Sequence, residues 1–290
     1  MARTTVPAAD ALLDVELPVL DKGFVRLVDY LGGDERIVQS ARVSYGSGTK
    51  SFRQDRGLIH YLLRNEHTSP FEQVVLTFHC KMPIFVARQW VRHRTARLNE
   101  ISGRYSVMKD EFYVPDPDQM RTQSADNKQA RSEEIVLGAE AMLAEMREDQ
   151  ALLYGHYEGM IEGGLAREVA RGNLPLSLYT EWYWQIDLHN LFHFLALRMD
   201  AHAQYEIRVY AEAMAQCAAA VAPIAYEAFE EHKLNSVRFS KTECAVLAAL
   251  LDGKAVALEP RPQAIFEAKI AKLRSLAPSE APEEPVLPTA

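Results

Sequence analysis

The sequence predicts a mixed α+β fold, built as one domain with a tail at each end. The apolar run from Phe24 to Tyr30 and the β-branched and aromatic run from Val74 to Lys81 are both typical of strands. Between Ile207 and Val221, apolar residues recur at spacings of three and four, as they do on the buried face of a helix. Because no break in composition interrupts the middle of the chain, we expect a single main domain.

Composition narrows the class of protein further. The chain has 290 residues, of which 48% are hydrophobic and 25% charged, as in ordinary globular proteins that bury a core. These proportions exclude collagen-like, wholly disordered and disulfide-scaffold proteins. The formal net charge of −8 argues against a nucleic-acid partner. No apolar run approaches the roughly 20 residues of a membrane span and no secretory signal is visible, so we expect a cytoplasmic protein without a membrane partner.

The three cysteines, Cys80, Cys217 and Cys244, fit a reducing cytoplasm. They lie far apart and form no CxxC pair, so neither a structural zinc site nor a disulfide framework is indicated. Cys217 and Cys244 lie in apolar stretches without basic neighbours, and a strand would point Cys80 away from His79 and Lys81. None of the three is predicted to be an activated thiol.

Turn and cap signals divide the N-terminal half of the chain. Gly32-Gly33 predicts a turn, and Asp34 is expected to cap the helix that follows it. A second helix is predicted from Phe52 to Arg64. Pro83 is expected to open another helix directly after the second strand.

The C-terminal half begins with a polar stretch. Pro115 to Arg131 predicts an exposed loop, followed by a long helix from Ser132 to about Gly164. The run Gly172-Asn173-Leu174-Pro175 is expected to end a helix before an extended segment from Ser177 to Trp184. Ala277 to Ala290 is rich in Pro, Glu and Ala and is predicted to be disordered.

The stretch from Arg88 to Tyr105 contains five arginines and one acid, in a chain that is acidic overall. Guanidinium groups clamp phosphate oxygens in pairs and stay charged at physiological pH, so this cluster predicts an anion site. A solvated helix face is the alternative. If the helix opened by Pro83 continues, Gln89, Arg92 and His93 share one of its faces.

The second half of the same stretch has a pattern of its own. If Asn99 to Tyr105 is extended, Glu100, Ser102 and Arg104 point to the same side. Gly103 would then let the backbone approach a ligand closely. The stretch as a whole therefore predicts a polar site for a phosphate ligand.

Residues Arg92 to Tyr105 resemble the signature RHRxxSxNExSxRY of the flavin-dependent thymidylate synthases. The first serine of that pattern is replaced by Arg97, so only the role of this position differs. Upstream, three more segments resemble the family, namely Ala41–Ser44, His67–Glu72 and Pro83–Trp90. Downstream, the resemblance continues in order through Ala170–Pro175, Tyr179–Thr180 and Phe194–Gln204.

The resemblance covers residues 24–232, which it implies to be the catalytic domain. Residues 1–23 would be an N-terminal extension and residues 233–290 a C-terminal extension of unknown role. The implied fold is a mixed, mostly antiparallel sheet flanked by long helices, with a single domain per subunit and assembly into a homotetramer.

The resemblance also implies, position by position, which residues contact each ligand. Those around FAD are Ser44, His67, Ser69, Arg92, His93, Arg94, Glu100, Asp187, Leu188, His189 and His193. Those around deoxyuridylate (dUMP) are Gln89, Trp90, Val91, Arg92, Glu100, Ile101, Ser102, Gly103, Arg104, Arg171 and Arg198. No metal ligand is expected.

By this resemblance, the protein methylates dUMP to dTMP, with 5,10-methylenetetrahydrofolate as carbon donor, NADPH as reductant and a flavin hydride in place of a cysteine nucleophile. Arg198 is the expected catalytic residue, because a fixed positive charge near the uracil favours the enolate-like ring that must form. Arg171 and Arg104 would hold the nucleotide, with Ser102 at its phosphate.

A helical wheel bears on the assembly. With Asp187 to Arg198 on one helix, these two residues share a face, while His189 and His193 project to the other side. One monomer would struggle to use both faces in one pocket, which favours active sites shared between subunits. Some members of the family carry Asn where Asp187 and His193 stand, so the hydrogen bonding to the flavin is expected to differ here.

Two other functions are compatible with parts of the sequence. His189 and His193 have a spacing that metal ligands can use, although no Glu completes an HExxH arrangement. A flavin or nucleotide sensor without turnover would keep the pocket and use residues 235–290 as an interaction arm. The intact arginines of the predicted dUMP site argue against the sensor.

Overall fold

The computed structural model describes residues 5–43, 52–125, 130–254, 256 and 258–276. The chain divides into two compact units, Met1–Leu234 and Asn235–Ala290. The first unit combines a sheet with many helices, so the predicted α+β class is confirmed. Across the described ranges, none of the helices has both the length and the hydropathy that a membrane-spanning segment requires.

Helices and strands are numbered in chain order. The α-helices among the described residues are α1 (Pro7–Asp10), α2 (Asp34–Arg42), α3 (Phe52–Arg64), α4 (Ile84–Trp90), α5 (Ala139–Glu162), α6 (Arg167–Ala170), α7 (Leu188–Arg198), α8 (Tyr205–Val221), α9 (Pro223–Phe229), α10 (Lys241–Leu251) and α11 (Pro260–Ser275). The strands are β1 (Glu16–Val19), β2 (Gly23–Leu31), β3 (Val75–Pro83), β4 (Arg97–Glu100), β5 (Arg121–Gln123), β6 (Arg131–Ile135) and β7 (Tyr179–Asp187).

One antiparallel sheet organises the first unit. Its strand order is β1-β2-β3-β7-β4, and each neighbouring pair runs antiparallel. Strands β3 and β7 pair along nine residues, from Val75 opposite Asp187 to Pro83 opposite Tyr179. The expectation of a mostly antiparallel sheet flanked by helices is therefore confirmed.

The core lies between this sheet and the helices. On β3, Leu76, Phe78 and Cys80 alternate along the buried face, as the two-residue period of a strand requires. The buried side chains of α8 include Tyr210 and Met214, as its apolar stripe predicts. Burying each such side chain contributes about 1.5–3 kcal/mol, so the strands and helices hold one another in place.

Most of the predicted elements are present with shifted ends. Strands β2 and β3, and helix α3 at Phe52–Arg64, match the expectation. Pro83 ends β3 in an extended conformation and caps α4, as predicted. The extended segment expected after Pro175 is β7. The predicted disorder of Ala277–Ala290 lies outside the described residues.

The long helix predicted from Ser132 begins later, so that expectation is wrong at its start. Residues Arg131–Ile135 form β6, which pairs with β5 to make a hairpin, and α5 starts only at Ala139. The loop expected over 115–131 correspondingly contains β5. A strand pairing between residues up to 14 positions apart overrides the local helical composition here.

The predicted role of Asp34 is also wrong. The residue at the cap position of α2 is Gly33, and Asp34 is the first residue inside the helix. Its two carboxylate oxygens instead accept hydrogen bonds from the backbone amides of Ile224 and Ala225, both at 2.9 Å. Asp34 therefore caps α9, a helix almost 190 residues further along the chain, and burial raises its pKa.

The second unit contains a helix pair with its own cap. Ser240 and Glu243 form a capping box at the start of α10, with each side chain accepting from the other's backbone amide. Lys269 of α11 donates to both oxygens of Glu243 at 2.7 Å. The same carboxylate thus caps one helix and ties the other to it.

The cap formed by Asp34 leads to a first prediction. We expect Asp34→Ala to lower the free energy of unfolding by about 1 kcal/mol, because two backbone amides at the start of α9 lose their acceptor. Asp34→Asn keeps one side-chain oxygen and should cost less. Urea unfolding followed by circular dichroism measures both. An alanine variant as stable as the original protein would contradict this role.

Candidate functional site

The arginine-rich stretch starts where helix α4 ends. The helix stops at Trp90, and the amide of His93 donates to the Trp90 carbonyl at 3.0 Å in a final turn. The expectation that Gln89, Arg92 and His93 share one helical face is therefore wrong, because the last two lie beyond the helix. The chain then enters β4, which pairs with β7 at the edge of the sheet.

A cavity of about 290 Å³ lies beside this turn. It brings together two segments that are far apart in sequence, the turn after α4 and one side of α7. Its lining consists of Arg92, His93, Arg94, Thr95, Ile186, Asn190, His193, Leu197 and Arg198. Five of these residues were predicted ligand contacts, and the structure places all five around one cavity.

Arg198 is the centre of the hydrogen bonding in this cavity. Its Nε donates to Nε2 of His93 at 3.1 Å, and its Nη2 donates to the backbone carbonyl of Gln89 at 3.4 Å. Because a guanidinium can only donate, His93 must present an unprotonated Nε2. The ring of His193 lies 6.0 Å from that of His93, measured between centroids.

The electrostatics agree with a neutral His93. Burial, together with the positive charge of Arg198 and the neighbouring His193, lowers the pKa of His93 to about 4. Burial and the charge of Arg92 also lower the pKa of Arg198, which as a guanidinium still remains charged. The cavity therefore carries the fixed positive charge of its arginines beside a neutral His93, which suits an anionic ligand.

The structure corrects the helical wheel. Asp187 lies before the helix as its N-cap, where its two oxygens accept from the backbone amide and the side-chain amide of Asn190 at 2.9 and 2.8 Å. His193 lines the same cavity as Arg198 rather than facing away from it. One subunit can therefore use these two residues together, so the geometric argument for shared sites no longer applies to His193, whereas His189 is not part of the cavity lining.

The second half of the stretch folds into a turn rather than a strand. Extended backbone ends at Glu100, and the amides of Tyr105 and Ser106 both donate to the Ser102 carbonyl. The expectation that Glu100, Ser102 and Arg104 share one side of a strand is therefore wrong. Glu100 accepts a hydrogen bond from the Thr180 hydroxyl at 2.7 Å.

Gly103 is closely packed, so a side chain there would require Met108 or Arg171 to move. A Cβ there would lie 2.9 Å from Sδ of Met108 and 3.1 Å from Cδ of Arg171. Tyr157 and Tyr154 of α5 hold Met108 from behind by hydrogen bonds to its amide and carbonyl, at 3.0 and 2.9 Å. The turn thus lies directly against Arg171. Gly103 and Arg171, both predicted dUMP contacts, are therefore neighbours in the structure.

Other predicted contacts lie elsewhere on the chain. His67 and Ser69 are exposed and do not line the cavity. Trp90 and Leu188 have fully buried side chains. Ser44 lies outside the described residues.

Some lining residues were not foreseen. Asn190, Thr95 and Leu197 line the cavity without having been predicted as contacts. A signal for Asn190 was present, since it stands three residues after Asp187 as the partner of an N-cap does.

The thiols agree with the absence of an activated cysteine. Cys80 is fully buried, and this burial raises its pKa. Burial raises the pKa of Cys217 to about 12. Cys244 is exposed and belongs to the second unit. Within the described part of the chain, no group of three or more His, Cys, Asp or Glu side chains is arranged to hold a metal ion.

Comparison with known proteins agrees with this geometry. A family model described as "Thymidylate synthase complementing protein" matches residues 26–224. A second model, "Thymidylate synthase ThyX C-terminal domain", matches residues 237–276, a region that the sequence resemblance had left outside.

Individual relatives cover nearly the whole chain. The flavin-dependent thymidylate synthase of Treponema denticola is 58% identical over 260 residues, covering 89% of this chain and 98% of the relative. That of Treponema pallidum is 55% identical over 272 residues, covering 93% and 89%. Among solved structures, the UMP/dUMP methylase PolB from Streptomyces cacaoi, bound with 5-Br dUMP, matches with a TM-score of 0.69 at 32% identity, covering 75% of this chain and 99% of PolB.

Fold, site and relatives together define an enzyme of the methyltransferase class. The chain belongs to the family of flavin-dependent thymidylate synthases.

The contact between Arg198 and His93 leads to a second prediction. We expect the His93 imidazole to stay neutral until the pH falls to about 4. The pKa of His93 is lower in the folded than in the unfolded protein. Its contribution to stability is therefore complete above about pH 6.5 and is lost as the pH falls from about 6.5 to about 4. An NMR titration of the imidazole signals measures the pKa of His93, whose signal is the one that disappears in His93→Gln. Arg198→Met should raise the pKa, and a midpoint near 6.5 in the unaltered protein would contradict the geometry.

Proposed function

We propose that this enzyme methylates dUMP to dTMP reductively, with FAD as cofactor, NADPH as reductant and 5,10-methylenetetrahydrofolate as carbon donor. The names of the relatives and the dUMP analogue in PolB support dUMP as the substrate. The observation that carries the proposal is the position of Arg198, held beside Arg92 and a neutral His93 in one cavity. Such a site favours negative charge on a bound ring.

Arg198 is the proposed catalytic residue. C5 of uracil is a weak nucleophile, so its attack requires negative charge to spread over the pyrimidine ring and its carbonyl oxygens. The two hydrogen bonds of Arg198, to His93 and to the Gln89 carbonyl, fix the guanidinium before substrate binds. A preorganised charge of this kind stabilises the transition state without reorganisation during the reaction.

The turn at Gly103 and the adjacent Arg171 are proposed to hold the nucleotide. Arg104 pairs with Glu168 at 3.3 Å, but both side chains are more than half exposed. An exposed pair contributes little stability, so Arg104 can exchange this partner for a phosphate at small cost. Ser102 would add a hydroxyl at the phosphate. The remaining proposed dUMP contacts are Gln89, Trp90, Val91, Arg92, Glu100, Ile101 and Arg198.

The donors in the cavity fit part of an FAD molecule. Arg92 and Arg94 offer guanidinium groups for a diphosphate, and His93 and His193 offer aromatic rings. Both carboxylate oxygens of Asp187 accept hydrogen bonds from Asn190, and the Leu188 side chain is fully buried. Each of these two residues would therefore contact the flavin mainly through its backbone. The other proposed FAD contacts are Ser44, His67, Ser69, Glu100 and His189. Bound FAD would supply the hydride that NADPH delivers to it.

The chemistry is proposed to proceed without a cysteine nucleophile. Thiolate attack needs an accessible thiol with a lowered pKa. Cys80 and Cys217 are buried with raised pKa values, which supports this part of the proposal.

A homotetramer with shared active sites remains part of the proposal on grounds of size. Cavities that hold drug-sized ligands are about 300–1,000 Å³, and this site must take FAD and dUMP together. The cavity of about 290 Å³ in one chain reaches only the lower end of that range, and we propose that a neighbouring subunit completes the site. Residues 24–232 are proposed to form the catalytic domain in the cytoplasmic enzyme, with residues 1–23 and 233–290 as extensions.

The proposed reaction is tested by product formation. We expect the purified protein to form dTMP from dUMP and methylenetetrahydrofolate only when FAD and NADPH are both present. Arg198→Met should lower kcat by about 100-fold or more, as loss of one preorganised donor does. Arg36→Met, at an exposed arginine of α2, is the matched control and should keep normal activity. Product formed without flavin would contradict the proposal.

The proposed assembly is tested by mass. Light scattering of the active protein should give four times the chain mass of 32.7 kDa. Full activity at the mass of one chain would overturn the tetramer and leave the reaction itself untouched.

A further inference from the structure

Glu206 and Arg131 form an ion pair whose carboxylate is buried. Glu206, in the first turn of α8, is only 3% exposed. Its two oxygens accept from Nη2 of Arg131 at 2.6 and 2.5 Å, and Oε1 also accepts from the Tyr113 hydroxyl at 3.1 Å. The arginine comes from β6 of the hairpin, so three separate segments meet at this carboxylate.

Two glutamine side chains connect this ion pair to helix α4. Gln204, the residue at the cap position of α8, donates from Nε2 to Oε2 of Glu206 at 2.8 Å. Gln89 in turn donates from Nε2 to Oε1 of Gln204. The backbone carbonyl of the same Gln89 accepts from Arg198. A continuous polar chain therefore runs from Arg131 to the proposed catalytic residue.

The carboxylate at one end sets the direction of the hydrogen bonds between the side chains of Glu206, Gln204 and Gln89. An ionised carboxylate can only accept, so Gln204 must turn its NH₂ group toward Glu206 and its carbonyl toward Gln89. Gln89 must then turn its own NH₂ group toward Gln204. A flip of either amide would bring two donors or two acceptors together, which costs a part-buried hydrogen bond.

We propose that Gln204 and Glu206 are positioning residues that fix the side-chain amide of Gln89 in one orientation. In that orientation Gln89 offers its Oε1 as an acceptor for a donor group of dUMP, and one remaining N–H for an acceptor. The inference rests on the proposed function, because it takes Gln89 to be a dUMP contact. Neither residue touches the substrate, so both act through Gln89.

The test removes the link and leaves the ion pair in place. Gln204→Met keeps the length of the side chain but can neither donate to Glu206 nor accept from Gln89. We expect the KM for dUMP to rise about tenfold, as for one lost or misdirected hydrogen bond, with kcat changed less than twofold. Gln150→Met is the control, since Gln150 is another glutamine whose side-chain amide donates within the fold, to the Tyr113 carbonyl and the Ser177 hydroxyl. Its KM should stay normal.

A second pair of variants distinguishes positioning from packing. In Gln204→Glu the introduced carboxyl still accepts from Gln89, so the NH₂ group of Gln89 stays turned toward position 204. In Gln204→Lys the introduced ammonium donates to Glu206 but offers only donors to Gln89, which must then turn its Oε1 toward position 204. We therefore expect the KM for dUMP to rise about tenfold in Gln204→Lys and to stay closer to normal in Gln204→Glu.

The outcomes separate this inference from the proposed function. If the unaltered enzyme neither binds dUMP nor forms dTMP, the proposed function fails. If it does both and Gln204→Met has an unchanged KM, the positioning role is overturned. Should that variant fail to fold, equal KM values for Gln204→Glu and Gln204→Lys overturn the inference, and a KM that is raised in Gln204→Lys but not in Gln204→Glu supports it.

Discussion

The site depends on the packing of one tryptophan. Trp90, the last residue of α4, is fully buried, and its ring lies 5.3 Å from Trp182 and 5.4 Å from Trp184 of β7. It also stacks at 5.1 Å on Phe194 of α7. Because Arg92 follows only two residues later, this cluster fixes the turn after α4 against the helix that carries Arg198. The pairing of β3 with β7 supplies the surface on which the cluster rests.

The second constraint is electrostatic and concerns where the carboxylates around the site direct their oxygens. Positive groups can accumulate in the cavity only if nearby acids do not neutralise them. Asp187 spends its oxygens on the cap of α7, Glu100 accepts from Thr180, and Glu206 is paired with Arg131. His93 avoids adding charge by staying neutral as an acceptor for Arg198. These carboxylates therefore direct their oxygens to other partners, and among the described residues none forms a salt bridge with Arg92, Arg94 or Arg198.

Local patterns were enough to predict those elements that depend on neighbours in sequence. The alternation in β3, the cap at Pro83 and the stripe of α8 all follow from spacing within ten or so residues. Asp34 and the hairpin strand at Arg131 were mispredicted because their partners lie far along the chain or across a turn. The arginine cluster and the resemblance indicated the anion site. Its grouping with α7, and the chain through Glu206, depend on tertiary packing that spacing does not encode.

The groups around the site are held in two ways. Apolar packing fixes their position, and hydrogen bonding to a charged group fixes the direction in which they donate and accept. Trp90 is anchored by shape, and its indole N–H, like that of Trp182, has no hydrogen-bond partner among the described residues. Leaving such a donor buried costs about 1–3 kcal/mol, which the burial of the large rings offsets. Apolar packing of this kind fixes position but carries no donor or acceptor direction. Direction must come from a charge, and the Glu206 carboxylate supplies it through Gln204 to Gln89.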